Sequence, residues 1–100
     1  MSFEIRYLPL AVQDLDQMTE YLLQFYPDTA SRTLREIEQK LALLSEMPEM
    51  CEVYEPNPFY RKMITGKYLV FYHVNEQQHT IDVYRVLRGA WDVKSQLSML

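Results

Sequence analysis

The stretch from Phe59 to Gly89 constrains the fold more than any other. It holds three runs rich in aromatic and β-branched residues, at about 59–64, 67–75 and 80–88. They are separated only by Thr65-Gly66 and by Glu76-Gln77-Gln78-His79. Gaps this short join antiparallel neighbours, because a parallel pair needs a crossover of a dozen or more residues. The middle run, Tyr68-Leu69-Val70-Phe71-Tyr72, is apolar at successive positions, as a central strand covered on both faces would be. The last run alternates, which predicts Ile81, Val83, Arg85 and Leu87 on one face and Asp82, Tyr84, Val86 and Arg88 on the other. It stops at Gly89, so a basic group stands where the sheet ends and the backbone turns. Such a position suits contact with a large anionic surface or a partner peptide.

The first half of the chain has two periods. Phe3, Ile5 and Tyr7 alternate with Glu4 and Arg6, which predicts a short strand. Pro9 stops it and fits the first turn of a helix. Leu10, Leu15, Met18, Leu22 and Phe25 then form a helical stripe, with Asp14, Asp16 and Glu20 expected on the wet side. Pro27 closes that helix, and Asp28 or Thr29 is placed to cap a second one. Leu34, Ile37, Leu41 and Leu44 continue at helical spacing until Pro48. The short break predicts an antiparallel helical hairpin. Residues 48–58, with their prolines and acids, form a loop, and a tail from Trp91 is expected to pack Leu97 and Leu100 as a short helix. The order β-α-α-β-β-β implies an α+β fold, a helical hairpin on one face of a mainly antiparallel sheet whose first strand is an edge. The other sheet face is left partly open, and residues 1–100 form a single domain.

Composition narrows the function. With 48% apolar residues, a chain of 100 residues can build one modest core. A net charge of -4 argues against direct DNA binding by this chain. The charges are uneven, however: Arg61, Lys62, Lys67, Arg85, Arg88 and Lys94 make the sheet region locally basic. Cys51 is the single cysteine, so a free thiol in a reducing cytoplasm is expected. No apolar run is long enough to span a membrane and no signal peptide is visible, so no membrane association is expected. His73 and His79 have no third ligand at metal-site spacing, and no metal or other cofactor is expected.

The element order and the string Gly66-x-Tyr68-Leu69-Val70-Phe71-Tyr72 … Ile81-x-Val83-x-Arg85-Val86-Leu87-x-Gly89 resemble the RelE/ParE superfamily of bacterial type II toxins. The resemblance covers essentially the whole chain and implies a toxin neutralised by a cognate antitoxin. RelE-like members cut mRNA on the ribosome with a set of Lys and Arg residues and often a C-terminal Tyr. This chain has Leu69 and Trp91 at two of the basic positions and Met63 at a third, and no Tyr or His follows Trp91. The ending Arg85-Val86-Leu87-Arg88-Gly89-Ala90-Trp91-Asp92 is similar to that of the ParE-like, plasmid-stabilisation branch, with Arg88 in place of a His and Trp91 in place of an Arg. That branch implies growth inhibition by binding a target such as DNA gyrase.

Two sets of residues are therefore candidates. Target binding would fall to Arg61, Arg85, Arg88 and Trp91. A ribosome-dependent mRNA endonuclease would instead need Arg61, Lys62, His73 and Arg85; no catalytic residue is assigned otherwise. A third possibility is a degenerate, non-toxic protein that only binds an antitoxin. Each candidate also has an ordinary structural reading. Arg85 and Arg88 can be neutralised by Asp82, Asp92 or a helix carboxylate. Arg61 and Lys62 can be solvated edge charges. Trp91 can close the core against the tail.

Overall fold

Proline sets where both helices begin. The structure, a computed structural model, describes residues 2–89. Strand β1 (Glu4–Tyr7) runs into Leu8, which is extended, and Pro9 opens α1 (Pro9–Phe25). Proline needs no hydrogen bond at the first helical position and already has helical φ. Tyr26 alone separates α1 from α2 (Pro27–Glu46). Its N–H donates to the Leu22 carbonyl at 2.7 Å, and its carbonyl accepts from the Thr29 N–H at 2.9 Å. The expected Asp28 or Thr29 cap is not used, because Pro27 starts the helix one residue earlier. Asp28 instead lies in the first turn, where a negative charge favours the positive end of the helix dipole.

The helices bury one stripe each. Ala11, Met18 and Leu22 of α1 face Ala30, Ile37, Leu41 and Leu44 of α2 and the sheet, with Leu15 and Leu34 packed at the margin. Leu10 is more exposed than its place in the predicted stripe implies, because it sits one residue, about 100°, away from Ala11. Phe25, in the last turn, leaves the stripe to pack against Tyr21, with ring centroids 5.0 Å apart.

The sheet order is β1-β4-β3-β2, where β2 is Arg61–Thr65, β3 is Tyr68–Asn75 and β4 is Thr80–Arg88. β2, β3 and β4 form an antiparallel meander, and β1 pairs with β4 in parallel. The fold is therefore the predicted α+β arrangement. One detail of the prediction fails. Tyr72 pairs with Val83 and Phe71 with Arg85, so Tyr84 is an extra residue, a β-bulge. The alternation of β4 inverts there. Ile81, Val83 and Val86 pack under the helices, whereas Leu87 and Tyr84 join Phe71, Tyr60, Tyr54 and Leu69 on the opposite face. That face is less open than expected, because the segment before β2 folds over it. The Val53–Arg61 bridge and the Tyr54 N–H bond to the Tyr60 carbonyl hold this segment down, while its start is tied to the helix side by the Tyr72 hydroxyl bond to the Pro48 carbonyl.

Two contacts protect the sheet edges. On β2, the Lys62 N–H donates to the Glu52 carbonyl at 3.0 Å, and Lys40 Nζ donates to the Ile64 carbonyl at 2.8 Å. On β1, Arg6 lies opposite Asp82 of β4 and donates to its carboxylate at 3.0 and 2.8 Å. Thr80 Oγ1 at 2.8 Å and Asn75 Nδ2 at 3.4 Å complete the shell around Asp82. Burial alone would raise the Asp82 pKa, but the bonds from Arg6, Thr80 and Asn75 and the charge of Arg6 outweigh it and hold the carboxyl below its usual range. A depressed carboxyl stabilises the fold above its unfolded value, near 4, and loses that contribution as pH falls through the folded value. We expect Asp82→Asn to flatten the loss of stability between pH 5 and 3, followed by urea unfolding at each pH. Asp82→Ala should cost about 1–3 kcal/mol at pH 7, since it strands donors around a largely buried site.

Candidate functional site

The sequence-derived candidates occupy three separate places. Arg61 and Lys62 open β2 at the sheet edge. Arg61 Nη1 donates to the Cys51 carbonyl at 2.6 Å, and Lys62 Nζ lies 3.7 Å from Glu52. His73 sits in β3 with its ring stacked on Phe59 at 3.9 Å and 6°. Its Nδ1 is 2.9 Å from the Phe59 carbonyl; a carbonyl only accepts, so this nitrogen carries a proton and donates. These contacts make Arg61, Lys62 and His73 fasteners of the segment that covers the sheet.

Arg85 is held on the other side. Its Nε and Nη2 donate to Asp14 of α1 at 2.7 and 2.9 Å. The pair is almost wholly enclosed, with side-chain exposures of 10% and 9%. The hydrogen bond to Asp14 raises the Arg85 pKa above its usual value, against the opposing effect of burial, so the guanidinium stays charged. Asp14 is thus not on the wet side of its helix. The reason lies in the sheet. β1 ends at Tyr7, and the last bond from this strand's end to β4 is from the Leu8 N–H to the Val83 carbonyl. Among the described residues, no strand lies beside the outer edge of β4 beyond Val83, and Asp14 Oδ2 accepts the Val86 N–H there at 2.9 Å.

Arg88, the last residue of β4, is exposed. It lies opposite Tyr68, and the Gly89 N–H donates to the Lys67 carbonyl at 2.8 Å. The β2–β3 turn, with Gly66 at φ +59°, is thereby tied to the end of β4. Arg88 lines three adjoining grooves at this end of the molecule. One, about 350 Å³, lies between the turn of the helical hairpin and the β2–β3 turn, and its walls include Tyr21, Tyr26, Arg32, Lys67 and Tyr68. Burial raises the Tyr68 pKa, Arg88 works against that rise, and Tyr21 adds to it.

The candidates do not converge. Arg61 pairs with Tyr72 and Arg88 with Tyr68, four residues apart along β3, or roughly 13 Å. Arg61 and Arg85 lie on strands with β3 between them, roughly 10 Å apart. Trp91 lies outside the described residues. Sequence reasoning missed Lys67 and Tyr68 as neighbours of Arg88, although the register of an antiparallel meander brings the first turn beside the end of the third strand. It gave no signal for Tyr21, Tyr26 or Arg32, which arrive only through the packing direction of the hairpin. Among the described residues there is no group of three or more side chains that could hold a metal ion. No described helix is long and apolar enough to cross a membrane.

Residues 5–93 match the sequence profile of the ParE toxin of the type II toxin–antitoxin system parDE. The chain belongs to this ParE toxin family. Its fold is shared with two solved toxin–antitoxin assemblies. A chain of the chromosomal ParDE system of P. aeruginosa superposes with a TM-score of 0.70 at 16% identity, over 87% of this chain and 96% of the other. A chain of the RelBE2 toxin–antitoxin complex of Mycobacterium tuberculosis gives 0.65 at 17% identity, over 88% and 99%. No curated protein matches in sequence. Within this ParE family member, the Asp14–Arg85 pair is the most enclosed ion pair described. Asp14→Ala should lower stability by about 3 kcal/mol, because it removes the carboxylate that balances a buried guanidinium. Asp14→Ala/Arg85→Met should recover part of that loss but not all, since the Val86 N–H stays unsatisfied; chemical denaturation of the three proteins checks both values.

Proposed function

We propose that the chain is the toxin of a type II toxin–antitoxin pair, a non-catalytic growth inhibitor that binds a cytoplasmic target, DNA gyrase, and is neutralised by a cognate antitoxin. One observation carries this reading. The groups that RNA cleavage would draw on, Arg61, Lys62, His73 and Arg85, are each engaged with Cys51, Glu52, Phe59 and Asp14. Phosphoryl transfer needs donors preorganised around one developing charge. Groups that are dispersed and already engaged with other parts of the fold do not supply that. A binding surface has no such requirement. It needs exposed cationic and aromatic groups, and Arg88 with Lys67 and the tyrosines beside it meets that description.

Of the four target-binding candidates, Arg88 is assigned the leading contact, because Arg61 and Arg85 already serve the fold. Trp91, two residues beyond Gly89 in the chain, is kept as a target-binding candidate on its sequence position alone. The antitoxin assignment draws support from the family and from the two solved neighbours, which are a toxin–antitoxin complex and a ParDE system.

The test is induced expression with plasmid supercoiling and mRNA integrity followed in one culture, alongside gyrase assays on purified protein. Inhibited supercoiling with intact mRNA is expected, and Arg88→Glu should weaken inhibition at least about tenfold, the usual scale for losing one well-placed charge contact at an interface. Early mRNA cleavage with normal supercoiling would replace this reading with the ribosome-dependent endonuclease. Antitoxin binding without either effect would leave a protein that has kept only its antitoxin surface.

A further inference from the structure

The lysines and arginines among the described residues fall into two groups. Arg6, Lys40, Arg61, Lys62 and Arg85 are each bound to a carboxylate or a backbone carbonyl. Arg32 makes only a 3.5 Å contact with the Thr29 hydroxyl, and among the described residues Lys67, Arg88 and Arg35 have no such bond. Three of these four, Arg32, Lys67 and Arg88, line the same groove of about 350 Å³, where Glu36 is the only carboxylate among the described residues that line it. This concentration of unneutralised positive charge occurs in a chain of net charge -4.

The other groove walls add two features. The start of α2 forms one side, where the Thr29 N–H is already taken by the Tyr26 carbonyl and Pro27 has none, so this helix offers side-chain donors, Arg32 among them. The remaining walls carry the rings of Tyr21, Tyr26 and Tyr68 and the hydroxyls of Thr29, Thr33 and Thr65. Guanidinium and ammonium groups recognise phosphate oxygens. Tyrosine rings provide stacking faces for a planar heterocycle. The volume lies at the lower end of the range for small-ligand sites, roughly 300–1,000 Å³.

We propose that this groove binds a small phosphorylated ligand with a planar ring, of the size of a nucleoside phosphate. Arg88, Lys67 and Arg32 take the phosphate, Tyr68 or Tyr26 stacks on the ring, and Glu36 accepts from a ring amine or sugar hydroxyl. The proposal is independent of the gyrase reading, since it concerns binding rather than toxicity.

The experiment is calorimetric and NMR titration of the purified full chain with ATP, AMP, ribose 5-phosphate and inorganic phosphate. Saturable one-to-one binding of ATP and AMP is expected, at least tenfold tighter than ribose 5-phosphate or phosphate, with shifts at Gly66, Lys67 and Gly89. Lys67→Ala and Arg88→Ala should each weaken binding about tenfold, the scale of one charge-assisted hydrogen bond. Arg35→Ala removes an equal charge outside the groove and should leave affinity unchanged. Circular dichroism confirms that the exposed substitutions keep the fold. Absence of saturation at millimolar ligand would overturn the proposal. So would equal affinity for inorganic phosphate, which would remove the ring from recognition, or equal loss in Arg35→Ala, which would make the effect one of net charge. Tighter capture of an acidic peptide or an oligonucleotide than of any nucleotide would make the groove a macromolecular dock and overturn it as well.

Discussion

The arrangement turns on how the outer edge of β4 is satisfied. β4 is the strand that both the helices and β1 depend on, yet β1 covers only its first half. Backbone donors left beside a packed helix must find acceptors, or the layer does not close. The Asp14 carboxylate supplies the acceptor for Val86, and its charge is balanced by Arg85 from the same strand. One helical side chain thus stands where a strand would have been. It fixes the distance and rotation of α1 against the sheet, and through the single-residue turn at Tyr26 it fixes α2 as well. The turn of the hairpin consequently overhangs the end of β4, and this overhang creates the grooves around Arg88.

Much of this was legible in the sequence, for identifiable reasons. The period-two and helical patterns, punctuated by Pro9, Pro27 and Pro48, are local signals, and they correctly give the order of elements and the stripe Ile37, Leu41, Leu44. Two failures were of another kind. The bulge at Tyr84 has no mark in the sequence, since no glycine accompanies it, and it turns Leu87 and Val86 to faces opposite to those that alternation predicts. Asp14 resembled any polar residue at the helix margin. Its burial depends on where β1 stops, which is a long-range property. Candidate function was legible only as charge: the sequence identified Arg61, Arg85 and Arg88 but could not say that two of them are internally bound and one is not.

The same sorting separates the residues that the fold needs from those that it does not. Residues that hold the molecule together, such as Arg85 and Asp82, sit under several geometric demands at once. Arg88 and Lys67 lie at the end of a strand and in a turn, with exposed side chains and backbone bonds that any residue type could make, apart from proline where an N–H is needed. Replacing them alters what the surface attracts without disturbing packing.

The Lys40 bond to the Ile64 carbonyl also has a bearing on life before any partner is met. β2 is the far edge of the sheet, and Ile64 presents a large apolar side chain to water there. An exposed edge of that kind is a template on which newly made copies can stack into intermolecular sheets. A charged side chain lying across the edge, together with the strap from Glu52, leaves an incoming strand little to pair with. The guard on this edge thus comes from a lysine that belongs to a helix, on the other layer of the molecule.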